Sequence, residues 1–86
     1  MKKEHMIKGN WYSIKASEEM WIFKFDYLDG EDIHQTLCGT PCDEYIGETG
    51  FIDDIEFSAL REATIEEVHK LFPEEEFKQM TNYEIY

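Results

Sequence analysis

Trp21-Ile22-Phe23-Lys24-Phe25-Asp26-Tyr27 alternates with a period of two: Trp21, Phe23, Phe25 and Tyr27 fall on one side, Ile22, Lys24 and Asp26 on the other. An extended strand places every second side chain on one face, so the stretch predicts a β-strand whose aromatic side is the centre of a core. Upstream, Trp11-Tyr12-Ser13-Ile14-Lys15-Ala16 alternates in the same way, with Tyr12, Ile14 and Ala16 together and Trp11 interrupting the polar side. Ser17-Glu18-Glu19 reads as the hairpin connection between them. Downstream, Asp29-Gly30 supplies the residues of a tight reversal into a strand over 33–38, which Gly39-Thr40-Pro41 ends. Residues 43–50, with two glycines and three acids around Tyr45 and Ile46, read as a loop or a short irregular strand. A last strand is expected over 51–57, with Ile55 and Phe57 inward and Asp54 and Glu56 outward.

From residue 64 the apolar period lengthens. Ile65, Val68 and Phe72 recur at i, i+3 and i+7 with Leu71 beside them, which predicts a helix over 65–72. Thr64 and Glu67 form a capping box at its start, Glu66 and Lys70 stand i, i+4 on its outer face, and Pro73 marks its stop or the opening of another turn. Residues 74–80 are expected as a second short helix, because Glu74-Glu75-Glu76 suits the positive end of a helix dipole. Tyr83-Glu84-Ile85-Tyr86 reads as an edge strand or a tail.

A chain of 86 residues supports one core, and 42% apolar with 15% aromatic residues is enough to fold it. Residues 1–86 are therefore read as a single domain, with 1–9 and 82–86 as candidate loose ends. Twenty acids against eight bases give −12, and the imbalance is uneven. Residues 43–86 hold thirteen Asp/Glu and three Lys/Arg, a net −10, whereas residues 1–42 hold seven and five, a net −2. Such a surface repels nucleic acid and anionic membrane and attracts basic partners. The opening Met1-Lys2-Lys3-Glu4-His5-Met6 lacks the apolar run of a secretory signal, and two cysteines are too few to staple a secreted mini-domain, so a cytoplasmic location is expected.

Chemistry-bearing patterns are thin. Cys38-Gly39-Thr40-Pro41-Cys42 offers two thiols, but a structural zinc needs four ligands, and His5, His34 and His69 are scattered along the chain. The spacing is not that of a redox pair either, and no neighbouring base would lower a thiol pKa. A calcium loop from Asp26 would carry its glycine one position early and end on Leu37 where a Glu is needed. Asp53 and Asp54 are adjacent, as chance provides in so acidic a chain, and His69 at the border of the apolar stripe reads as a partly buried structural histidine. With no nucleophile motif and no phosphate loop, the chain is expected to be no enzyme and to take no metal or cofactor.

The acids themselves are the candidate site. Residues two apart on one strand face, such as Asp54 and Glu56, sit about 6.6 Å apart, a spacing suited to mimicking phosphates. Asp43, Glu44, Asp53, Asp54, Glu56 and Glu66 are the expected partner-binding residues, facing a basic protein such as a nucleic-acid-binding nuclease. The competing reading is that the charge only keeps the domain soluble, and that aromatic residues, Trp11 and the Tyr83/Tyr86 tail, anchor a partner or a second copy in a homodimer.

Phe57-Ser58-Ala59-Leu60-Arg61-Glu62-Ala63-Thr64-Ile65-Glu66-Glu67-Val68 resembles the F-x-x-x-R-x-A-T-x-E-E ending of many small phage and prophage proteins. The resemblance covers about a seventh of the chain and implies a compact β-barrel followed by a terminal helix. It also implies a context, since such proteins include inhibitors of bacterial immunity, anti-CRISPR proteins among them. The expected fold is α+β: a small antiparallel β-sheet or partly closed barrel of four to five strands, packed by its aromatic face and covered by the C-terminal helix. The expected function is a non-catalytic inhibitor that blocks a basic surface of a host-defence nuclease, with no direct contact to nucleic acid or membrane; the alternative is a small interaction module.

Overall fold

The computed structural model describes residues 2–16, 18–30, 32–40, 43–45 and 55–80. Five strands, β1 (Trp11–Ala16), β2 (Glu19–Asp29), β3 (Asp32–Thr40), β4 (Asp43–Tyr45) and β5 (Ile55–Glu62), form one sheet in the spatial order β4-β3-β2-β1-β5. Every pairing is antiparallel. A single helix, α1 (Ile65–Leu71), follows β5. The fold is thus a small α+β domain, and because β4 and β5 do not pair with each other among the described residues, the sheet is open rather than a barrel. The expected segments over 46–54 and 81–86, with Asp53, Asp54, Tyr83 and Tyr86, lie outside the described residues, as does Cys42.

Both faces of the sheet are buried, by two separate clusters. Tyr12, Ile14, Ala16, Phe23, Phe25, Ile33, Cys38 and Leu60 pack on one face with Met6 from the N-terminal segment. This is the aromatic core expected from β2. The helix does not cover it. Val68, Leu71 and Phe72 dock on the opposite face, against Trp11, Ile22 and Ala63. Alternation places Trp11 out of step with Tyr12 and Ile14, and the reason is now plain: its ring is the platform for the helix, fully buried with its centroid 5.6 Å from that of Phe72.

Four other departures from expectation are local. Register shifts interrupt the β2–β3 ladder between Lys24 and Phe25 and again between Phe25 and Tyr27, leaving Thr36 and Asp26 as the extra residues. Such bulges reverse which face the following side chains take. Beyond them Leu28 and Ile33 turn to the aromatic core, whereas Tyr27, expected inside, is 51% exposed and stacks on His34 at 4.3 Å. Ile65 is 45% exposed, because a seven-residue helix reaches the sheet with its second turn only. Pro73 ends the helix, but residues 74–80 form no second one: after a turn closed by Glu75 N–H to the Phe72 carbonyl, they run back as an irregular strap to the start of β1. The last strand also outruns its expected end at residue 57, continuing to Glu62.

Glu18 adopts a left-handed φ of 66° in the β1–β2 connection, a conformation that costs an L-residue with a Cβ roughly 1–2 kcal/mol. Glu18→Gly is expected to raise stability by roughly 0.5–1 kcal/mol once the greater entropy of glycine in the unfolded chain is set against that relief. Phe72→Ala, which empties the space over Trp11, is expected to lower it by about 3 kcal/mol; urea unfolding of the two variants checks both signs.

Candidate functional site

The six expected partner-binding residues do not occupy one element. Asp43 and Glu44 lie in β4, in register with Thr40 and Gly39, while Glu56 lies in β5 opposite Lys15. The two positions are on opposite edges of the sheet, separated by β3, β2 and β1. Glu66 is exposed in the first turn of α1. Its expected pair with Lys70 is absent from the ion pairs of the described residues, in keeping with how little an exposed i, i+4 pair gains.

Glu67, next along, has an unexpected partner. Arg61, at the end of β5, grips it through two parallel hydrogen bonds, Nη1 to Oε1 at 2.9 Å and Nη2 to Oε2 at 2.6 Å. The capping box is present as the sequence predicts: the Glu67 N–H donates to Thr64 Oγ1 at 3.2 Å, and the Thr64 N–H donates back to Glu67 Oε1 at 2.9 Å. One carboxylate therefore ties the end of the strand to the start of the helix. The hydrogen bond from Arg61 is the main reason its pKa falls to about 2. With Ala63 buried between them, Arg61, Thr64 and Glu67 of the R-x-A-T-x-E-E pattern form a strand-to-helix joint, in which Glu66 has no part.

A second unexpected contact fixes the strap. The Gln79 amide donates Nε2–H to the Trp11 carbonyl at 2.9 Å and accepts the Trp11 N–H through Oε1. Asn10 does the reverse, donating Nδ2–H to the Met80 carbonyl at 2.6 Å and accepting the Met80 N–H at 2.9 Å. Two side-chain amides thus act as peptide groups, Gln79 toward the backbone of Trp11 in β1 and Asn10 toward the backbone of Met80 in the strap. Nothing in local periodicity marks either residue. His69 is half-buried, as expected for a structural histidine, and its Nε2 lies 2.8 Å from the Glu75 carbonyl at the start of the strap.

The thiol and imidazoles are dispersed. Cys38 is buried in the aromatic core beside Gln35 Nε2, and burial pushes its thiol up to about 11. His34 turns to the exposed Tyr27 instead. Among the described residues no group of three or more His, Cys, Asp or Glu converges as a metal site would require, and no helix is long and apolar enough to cross a membrane.

Two measurements follow from the perturbed groups. Because the Glu67 carboxylate titrates below its ordinary 4.5, its contribution to stability is complete above that pH and is lost as pH falls toward 2. Arg61→Ala should return its NMR titration midpoint toward the ordinary value and remove that part of the acid sensitivity. For Cys38, a raised pKa keeps the thiol protonated at neutral pH, so peptide mapping after native iodoacetamide treatment should find it unmodified, and modified only after unfolding. Compared with known proteins, the chain matches no family model, no curated protein and no solved structure.

Proposed function

We propose that the domain is a non-catalytic inhibitor that presses carboxylates onto a basic, nucleic-acid-binding surface of another protein and blocks it. The observation that carries this reading is the charge: −12 on 86 residues, with a net −10 from residue 43 onward. Two cations are already engaged inside the domain, Arg61 by Glu67 and Lys8 by Asp26 at 3.2 Å, while Glu56 and Glu66 remain exposed and without an ion pair among the described residues. The strand–helix joint holds Glu66 on a fixed scaffold, and a rigid acid loses less entropy on docking than a mobile one. The phage-type, anti-CRISPR or anti-defence setting, and with it a host nuclease as the partner, rests on the resemblance of residues 57–68. Asp43, Glu44, Asp53 and Asp54 complete the proposed acidic surface, which would act by occlusion and in the cytoplasm.

The second reading, an interaction module that uses aromatic residues, loses Trp11, whose ring is wholly buried, and gains Tyr27 with its stacked His34. Salt separates the two. In a pull-down from host lysate, the first reading expects a basic, nucleic-acid-binding protein whose affinity drops roughly tenfold or more between about 50 and about 200 mM salt. Glu56→Lys combined with Glu66→Lys should weaken that capture, and Tyr27→Ala should leave it unchanged. Capture that resists salt and charge reversal but fails with Tyr27→Ala would decide for the aromatic reading.

A further inference from the structure

A cleft separates the strap from the N-terminal turn and the middle of β2. It consists of two adjoining hollows of about 280 and 430 Å³, both lined by Lys8, Gly9 and Lys24. Strap residues Lys78 and Met80 border the first, and Phe25 and Leu37 border the second. Its shape comes from the irregular points of the backbone: Gly9 at φ 90° in the turn closed by Asn10 N–H to the Ile7 carbonyl, and the bulge residues Asp26 and Thr36. Bulges of this kind re-aim side chains and are concentrated beside functional sites.

The first hollow reverses the charge of the molecule, whereas the cleft as a whole is balanced, with Lys8, Lys24 and Lys78 against Asp26, Glu75 and Glu76. Three of the chain's eight bases gather in its first hollow, against one acid, Glu76. Lys8 is paired with Asp26, so that carboxylate is occupied. Neither Lys24 nor Lys78 makes an ion pair among the described residues; the Lys24 ammonium lies 6.0 Å from the centroid of the Trp11 ring. Two ammonium groups bordering one concavity repel each other and are relieved by an anion between them. The second hollow adds apolar surface, and Glu75 beside it disfavours a ligand charged along its whole length. Lysines at one end and the apolar side chain of Leu37 at the other give the cleft the two kinds of contact that a small-molecule site combines.

We propose that this cleft binds a small organic oxyanion, a carboxylate or phosphate monoester with an apolar body, its charged head between Lys24 and Lys78 and its body along Leu37. The strap forms one wall, so the Asn10 and Gln79 hydrogen bonds that dock it are positioning contacts for the ligand.

The test is an amide NMR titration of the intact protein with phenyl phosphate, phenylacetate and benzyl alcohol. One or both anions should shift Gly9, Asn10, Leu37 and Lys78 saturably, the tighter of the two identifying the head group, and benzyl alcohol should bind at least roughly tenfold more weakly. Lys78→Gln, an exposed change, should weaken the anions by roughly tenfold, and Lys15→Gln, outside the cleft, should not. Gln79→Ala should weaken binding without removing a charge. Equal binding of benzyl alcohol, unchanged affinity in Lys78→Gln, or no saturable shift from either anion up to roughly 10 mM would each overturn the assignment.

Discussion

The carbonyl of Trp11 accepts from the Ala63 N–H at 3.1 Å and from the Gln79 side chain at 2.9 Å, its N–H is taken by the same glutamine, and its indole lies under Phe72. One residue thereby joins the first strand, the end of the last strand, the helix and the strap. Its neighbour Tyr12 faces the other way, into the aromatic core, where its hydroxyl accepts the Ile7 N–H at 2.7 Å and holds the N-terminal segment against the sheet. A strand buried on both faces needs every backbone group satisfied, since no water is at hand to replace a missing partner. The strap exists to meet that demand at the point where β5 departs.

Residue pattern carried the first strand, the β2–β3 hairpin, the inward placement of Ile55 and Phe57 and the capping box at Thr64, because each depends on neighbours close in sequence. Periodicity also singled out Trp11 as out of phase, although it did not say that the helix would lie on that side. What it could not carry were events between distant residues. The paired bulges at Asp26 and Thr36 leave the alternation of β2 untouched in the sequence, yet they turn Tyr27 outward. Acids after Pro73 suit a helix start, but the Asn10 and Gln79 contacts hold residues 79 and 80 against the start of β1 in an irregular path instead.

The acids divide by role in a manner that composition alone does not reveal. Glu67 is structural, held by Arg61 and Thr64, and Asp26 neutralises Lys8. Of the six acids expected as a site, the ones placed by the structure stand on β4, β5 and α1, so a partner that engaged all of them would have to reach both sheet edges and the helix. Acidity was legible from counting; its division between architecture and surface needed coordinates, because an acid six residues from an arginine has no preferred geometry until a strand and a helix meet between them.

The handshake between the strap and β1 joins residues 68 and 70 positions apart in a chain of 86. Contacts so distant in sequence are the slowest to find, since nearly the whole chain must be closed into a loop before they reward the entropy lost. During synthesis the β2–β3 hairpin can form early, but β1 waits for its final partners until residue 80 has cleared the ribosome. The contacts of the strap therefore come late, and a chain cut short before it would leave the Trp11 N–H without its Gln79 partner.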